Sequence, residues 1–435
     1  MPDRILKSIS EYVLSLAEKV EREIKKKSKL EGFVTPFYEK YSIYNIPATI
    51  LSIFKASVSK RDTLPKKIIE DYLDNVNKII LLVVDSMGYK NFLTPQIKSP
   101  FIKILSDNST MVPITSTFPS TTTTALTTVN TGTTPEEHGI MGYTMYLGEY
   151  GLIANMIDFT PAYDYKWGVL LEMGLDPKEF LGLETIHEIL NKKGIKSYAI
   201  TRHKDSGLSR MHNTGAKILN YINSSDLFVI LRKLLESEIG DETYVYVYWD
   251  LLDAISHIYG PSSEEALAEF RGFLYSYKSE FIDKLKSKVA KEILLMITAD
   301  HGQSELSKEN TIFASEHPEL MNKLWIPPTG DSRATFFYVK PGEINGVKDY
   351  IDKKLKDKFL VLDSNEAIEK GLFGAGSNKK RITGRVGDLI MLPYANYSFA
   401  YRHRGSEKDF IMKGSHGGLS EDEMLVPFIC KRLKP

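Results

Sequence analysis

The chain has almost no cysteine. Of its 435 residues only Cys430 carries a thiol, so no disulfide can close within the chain and no cysteine-based zinc site can be built. Cys430 lies in the apolar run 426–430, where a buried structural thiol is expected. Net charge is also absent, with 56 Lys plus Arg against 56 Asp plus Glu. A general nucleic-acid binder carries a basic excess, so that class of partner is not expected. Long apolar runs are missing as well. The longest aliphatic stretch, Ile79–Val84, is far shorter than the roughly 20 residues a membrane span requires, and no membrane partner is expected. Asp3, Arg4, Lys7, Glu11 and Glu18 interrupt the apolar positions near the N-terminus, where a signal peptide needs an unbroken run. A cytoplasmic location is the expectation. No internal repeat stands out, and the one compositional cluster is Thr/Ser-rich, at 115–134.

What is present is 42% hydrophobic residues, enough for one large α/β domain plus a smaller lobe. Ile5, Ile9, Val13, Leu16, Val20 and Ile24 recur at helical spacing and predict an amphipathic helix over 4–29. Its basic end at 25–29 reads as a solvated helix terminus. Residues 30–60, rich in aromatics and proline, read as an extended arm with a short helix near 46–54. The runs Ile79–Val84, Tyr244–Trp249 and Ile293–Thr298 lack polar alternation, as strands covered on both faces do. Helical patterns at 185–194, 226–237 and 263–287 lie between them. This alternation predicts an α/β fold, a mostly parallel central sheet flanked by helices on both faces. Residues 331–385 change character, with a strand at 334–339, a helix at 343–355, a strand at 359–362 and a loop of Gly, Ser, Asn, Lys and Arg at 374–385. The expected division is a helical arm over 1–75, a main domain over 76–330 and 386–435, and a small α/β insertion over 331–385.

In open α/β sheets ligands bind beyond the carboxyl ends of the strands. Asp85 directly follows Ile79–Val84, although an Asp there is as often a turn former. The segment Thr117–Gly132 predicts a helix from about Thr123, stopped by Gly132. Thr121 or Thr122 then stands at a helix start, where free amides favour an anion such as phosphate. The plainer alternative, one hydroxyl capping the helix, is favoured by this segment alone. Asp253 and His257, four apart, share a helix face that suits a divalent metal, though a lone pair of this kind is more often a surface pair. Asp300 and His301 follow Ile293–Thr298, and His416 adds an imidazole in a Gly-rich turn. Three carboxylates, three imidazoles and a hydroxyl suit Zn²⁺, Mn²⁺ or Fe. Two such ions about 4 Å apart can clamp an in-line displacement at phosphorus. Against three aspartates they leave one positive charge, which would lower the pKa of a nearby hydroxyl and attract an anionic ester.

Val-Asp-Ser-Met-Gly at 84–88, Phe-Pro-Ser-Thr-Thr at 118–122, Thr-Gly-Thr-Thr-Pro-Glu-Glu-His-Gly-Ile at 131–140, Asp253 with His257 and Gly260-Pro261, Ala-Asp-His-Gly at 299–302 and His416-Gly-Gly form an ordered set. Over residues 78–430 it resembles the nucleotide pyrophosphatase/phosphodiesterase branch of the alkaline phosphatase superfamily. The resemblance implies hydrolysis of phosphodiester or pyrophosphate bonds in a small phosphorylated or nucleotide substrate. It implies that Thr122, three residues after Pro119 and nine before Thr131, is a nucleophile forming a covalent phospho-threonine. Asp85, Asp300, His301 and Thr122 would hold one divalent metal, zinc first and Mn or Fe after it. Asp253, His257 and His416 would hold the other, and His138 would be structural. Ala125, three residues after Thr122, departs from the asparagine expected to touch a phosphate oxygen there. A backbone amide, Arg202, Arg333 or Arg402 is the expected substitute. Phosphomonoesterase, phosphonate hydrolase or phosphomutase chemistry is the alternative on the same scaffold. A metal-binding module without turnover is the alternative of another class.

Overall fold

The computed structural model describes residues 2–56, 61–93, 100–374, 379–405 and 411–433. Residues 375–378 of the expected 374–385 loop lie outside them, as do the side chains of Ile5, Ile9 and Val13. Two seven-stranded sheets organise the described residues. In chain order their strands begin with β1 (Lys78–Val84), β2 (Thr110–Thr115), β3 (Thr144–Leu147), β4 (Leu152–Asn155), β5 (Thr160–Pro161), β6 (Lys196–Thr201) and β7 (Lys217–Asn220). They continue with β8 (Thr243–Trp249), β9 (Ile293–Thr298), β10 (Leu324–Asp331), β11 (Ala334–Val339), β12 (Phe359–Asp363), β13 (Leu389–Pro393) and β14 (Leu425–Arg432).

The first sheet has the order β2-β14-β9-β1-β8-β6-β7. The five strands from β9 to β7 are parallel, and β14 runs antiparallel between β9 and β2. Every residue of β1 and β9 is buried, as their unalternating sequences require. The register brings the carboxyl ends level, with Val84 beside Trp249 and Val83 beside Thr298. Asp85, the turn after β8 and the Asp300-His301 pair therefore emerge at one edge. Because β14 is antiparallel, the chain entering it emerges there too, and so does the chain leaving β2. This brings residues 415–424 and 116–122 to the same edge. Cys430 is fully buried in β14, and burial pushes its thiol up.

The second sheet has the order β12-β13-β11-β10-β3-β4-β5 and is antiparallel throughout. The strands expected within 331–385 thus pair with strands from 324–331 and 389–393, and the first of these extends the sheet to the strands from 144–161. They share a sheet with a larger part of the chain than that stretch. Two features carry the N-terminal arm onto the first sheet. Leu16, Val20 and Ile24 of helix α1 (Pro2–Lys27) are buried. Backbone bonds from Ile43 to Thr115 (2.9 Å) and from Thr115 to Tyr41 (2.8 Å) then edge β2. The Tyr38 hydroxyl donates to Leu372 O and accepts from Phe118 N–H, so the arm grips the segment that leads to Thr122.

Candidate metal centre

Helix α2 spans Thr122–Thr131 and ends on Gly132, whose φ of 63° is the left-handed conformation a glycine C-cap supplies. The side chain of its cap residue Thr121 makes no bond to the helix amides. The Thr121 hydroxyl donates instead to Asp331 Oδ1 at 3.1 Å. The first intrahelical bond is Ala125 N–H to Thr121 O, 2.9 Å. The amides of Thr122, Thr123 and Thr124 precede it, so the start of α2 offers donors to an anion rather than closing on its own cap.

Around Thr122 the predicted side chains converge. Its hydroxyl lies 3.1 Å from His301 Nε2. The same nitrogen lies 3.4 Å from Asp300 Oδ2 and 3.5 Å from Asp85 Oδ1. Helix α3 (Leu251–Tyr259) places His257 Nε2 3.2 Å from Asp253 Oδ2. His416 Nε2 is 3.8 Å from Asp253 Oδ1. Asp253, His257 and His416 form one group whose ligand atoms lie within 4.8 Å of one another, and Asp85, Asp253 and His301 form another. Asp253 stands in both.

The three imidazoles are oriented alike. Nδ1 of His257 meets Gly414 O at 2.8 Å, Nδ1 of His301 meets Gly302 O at 3.0 Å, and Nδ1 of His416 meets Ser120 O at 3.3 Å. A carbonyl only accepts, so each Nδ1 carries the proton and each Nε2 presents a lone pair to the site. This is the arrangement metal-ligating histidines adopt. The carboxylates also call for a cation. Asp85 Oδ1 and Asp300 Oδ2 are buried without a hydrogen-bond partner. Burial, with the Asp300 and Asp253 charges nearby, holds Asp85 well above the usual carboxylate range. Burial acts on Asp253 in the same sense, but the His257, His416 and His301 imidazoles outweigh it and hold that carboxyl low. Among the described residues the ion-pair partners of these three aspartates are imidazoles, not Lys or Arg. Divalent cations fit this donor set.

Two glycines let the loops approach. A Cβ on Gly302 would stand 2.0 Å from Asp422 O, and one on Gly417 would stand 2.7 Å from Asp331 Cβ. Four supporting groups were not foreseen from sequence. Tyr248 donates to Asp85 Oδ2, and Gln303 Nε2 donates to Asp253 Oδ1 at 2.5 Å. Gln303 follows the Asp-His pair by two residues, a signal that could have found it. Asp331 and Tyr143 had none. They meet through the Tyr143 N–H (3.3 Å), and burial pushes the Asp331 carboxyl up to about 6.

His138 stands apart from these groups. Its Nδ1 accepts from Ile140 N–H at 3.0 Å and its Nε2 faces the Thr128 hydroxyl at 3.0 Å, which uses both nitrogens. Ala125 is fully buried in the hydrophobic core and brings no polar side chain to the site. Two of the expected arginine substitutes are also engaged elsewhere. Arg202 pairs with Asp250 (2.8 Å), and Arg333 is fully buried with both its Nε and Nη2 2.7 Å from Glu423. Arg402 lines the larger cavity described below.

Glu423 also accepts from Gly418 N–H and the Ser420 hydroxyl, so the Arg333 pair ties the loop bearing His416 to the turn bearing Asp331. Breaking a buried ion pair by removing one partner costs roughly 3–5 kcal/mol. Arg333→Met is expected to destabilise the protein by about that much, read from denaturant midpoints. A loss below about 1 kcal/mol would show that the pair does not hold the two loops together.

Two cavities open on Thr122. The larger, about 460 Å³, runs under the second sheet past Tyr143, Asn155, Asp331 and Arg402. The smaller, about 190 Å³, lies between the turns after β6 and β8. Thr122, Ile157 and Asp253 line both.

The family model described as type I phosphodiesterase / nucleotide pyrophosphatase matches residues 79–419. Among solved structures, the fold is similar to murine ectonucleotide pyrophosphatase / phosphodiesterase 5, at a TM-score of 0.59 and 19% identity over 81% of this chain and 87% of that one. An inactive variant of that protein in complex with AMP matches at 0.59 and 18%, with the same coverage of both chains. Phosphonoacetate hydrolase from Sinorhizobium meliloti 1021 in complex with phosphonoformate matches at 0.60 and 18%, over 83% of this chain and 91% of that one. Comparison with curated proteins finds no match. No helix among the described residues is long and apolar enough to cross a membrane.

Proposed function

The chain belongs to the type I phosphodiesterase / nucleotide pyrophosphatase family, and from that premise we propose that it hydrolyses phosphodiester or pyrophosphate bonds with Thr122 as nucleophile. The family is one of metal-dependent phosphoester hydrolases. One metal would be held by Asp85, Asp300, His301 and the Thr122 hydroxyl, the other by Asp253, His257 and His416. Oxygen and imidazole donors favour zinc, with Mn or Fe as substitutes. When bound, two such cations supply Lewis acidity, lowering the pKa of the Thr122 hydroxyl and offsetting charge on the phosphoryl oxygens.

The residues of the chain do the rest. The Thr122 oxygen attacks phosphorus, an Oγ–P bond forms, and the bond from phosphorus to the leaving oxygen breaks. The hydroxyl proton passes to solvent. Water then cleaves the Oγ–P bond and regenerates Thr122. The amides at the start of α2 bind the phosphoryl oxygens, and the Nδ1–carbonyl bonds keep the imidazoles aligned.

The observation that carries this reading is the position of Thr122, at the start of a buried helix where two carboxylate–imidazole groups and two cavities meet. A diester or anhydride has two substituents on phosphorus and needs room for both, whereas a monoester needs room for one. A chromogenic diester is therefore expected to react with a kcat/KM at least about tenfold above that of the matching monoester. The metal-loaded enzyme, with and without chelator, serves for the measurement. Preference for the monoester would overturn the diester assignment and favour monoesterase chemistry on the same site.

A further inference from the structure

Thr121 stands where a side chain should close on α2 and does not. Its backbone is extended, with φ −136° and ψ 149°, the conformation of a helix cap. From there a Thr oxygen accepts from the second or third helix amide, as Thr185 does from Glu188 N–H at 3.2 Å. Thr121 is 1% exposed, so its hydroxyl chooses between partners within the protein. It takes Asp331 Oδ1 at 3.1 Å. A hydroxyl bonds a carboxylate more strongly than a neutral amide, so the carboxylate wins this competition.

Asp331 is held for that purpose. Its Oδ2 accepts from Tyr143 N–H at 3.3 Å. A Cβ on Gly142 would stand 3.2 Å from the same oxygen, and one on Gly417 would stand 2.7 Å from Asp331 Cβ. Two stretches of glycine backbone therefore close on the side chain. Arg333, two residues on, anchors the turn through its buried pair with Glu423.

The consequence falls on the amides assigned above to the phosphoryl oxygens. A Thr121 hydroxyl turned back onto α2 would occupy Thr123 or Thr124 N–H and compete with substrate for it. Thr121, Thr122 and Asp331 all line the larger cavity, so a ligand meets this arrangement directly. We propose that Asp331 is a positioning residue that draws the Thr121 hydroxyl off α2 and keeps the amides at the helix start open to the phosphoryl group. It acts through Thr121 and touches no reacting atom in this role. This rests on the phosphodiesterase reading above.

The test is a double-mutant cycle on full-length metal-loaded enzyme with one chromogenic diester. Asp331→Ala frees Thr121 to cap its helix and is expected to lower kcat/KM by about 100-fold, the scale at which loss of one oxyanion donor is felt. Adding Thr121→Val removes the competing hydroxyl and is expected to recover at least about tenfold of that loss. A residue needed only for folding would gain nothing from a second substitution. Asp331→Asn still offers Thr121 an acceptor and is expected to be at least about tenfold faster than Asp331→Ala. Asp331→Leu fills the space between the glycines and takes the place of Asp331→Ala should the latter fold poorly. In parallel, hydrogen exchange is read at the Thr123 and Thr124 amides. The slower of the two is expected to be protected about tenfold more in Asp331→Ala than in wild type, and to lose that protection in the double variant. A double variant as slow as Asp331→Ala, with exchange unchanged, overturns the proposal and leaves the phosphodiesterase reading standing. Failure of wild type to cleave any diester overturns that reading instead, and exchange then decides the role of Asp331 alone.

Discussion

Thr122→Ala is expected to lose hydrolysis by a factor on the order of 10⁴ or more, the scale at which removal of a catalytic nucleophile is felt. The substitution removes one oxygen. It leaves the four Asp–His contacts around Asp85, Asp253 and Asp300 in place. Metal content is therefore expected to stay near two ions per chain by elemental analysis, or to fall by no more than the one ion that Thr122 would help to hold. Wild type mixed with a chromogenic diester is expected to show a burst of leaving group matched to enzyme concentration, and the variant none. The variant should also fold normally, because Thr122 is 6% exposed and loses only a hydroxyl bonded to His301. Turnover within about tenfold of wild type would show that another group attacks phosphorus.

Asp253→Asn is expected to have the second largest effect. Its carboxylate is the one side chain present in both ligand groups. The variant keeps the shape and loses the charge, and Gln303 Nε2 would then face an amide in place of a carboxylate oxygen. Bound metal is expected to drop to one ion per chain or fewer. The loss in kcat/KM should exceed the ~10–100-fold that removal of a supporting partner costs. Gln303→Leu, which removes only such a partner, should fall inside that range. A chelator should abolish wild-type activity, and zinc, Mn or Fe should restore it. Metal at about 1,000 times its dissociation constant adds about 4 kcal/mol of apparent stability through mass action, visible as a rise in Tm. Full activity in protein shown to be metal-free would overturn the proposal. Equal losses in the two variants would show that Asp253 acts from outside the ligand set.

Much of the fold was legible because buried parallel strands have a direct sequence signature. Ile79–Val84, Tyr244–Trp249 and Ile293–Thr298 are unbroken apolar runs, and they became β1, β8 and β9 with registers that put Asp85 level with the ends of its neighbours. The second sheet was less legible. Its strands β3, β4 and β5 are two to four residues long, and half-buried positions alternate with buried ones in β3. No local pattern tells such short strands which distant partner they join. The arm shows the same limit, since its aromatics could be seen but not their grip on the segment before Thr122.

For the site, residue types and spacing offered Asp85, Asp253, His257, Asp300, His301 and His416 as candidates, and the family resemblance chose Thr122 over Thr121. They stand at strand ends, on the helix that follows a strand or in a Gly-rich turn, and each motif is local. What only the tertiary structure decided are the relations between motifs. Whether Thr121 caps its own helix depends on Asp331, which lies 210 residues away. Which nitrogen each histidine presents depends on carbonyls at Gly302, Gly414 and Ser120, two of them more than 150 residues distant in sequence. Arg333 could be read as an anion contact until its burial against Glu423 was seen. The physical reason is common to all three. Hydrogen-bond partners, tautomers and buried charge pairs are set by what lies within a few ångströms, and in a fold of crossing connections those neighbours come from remote parts of the chain.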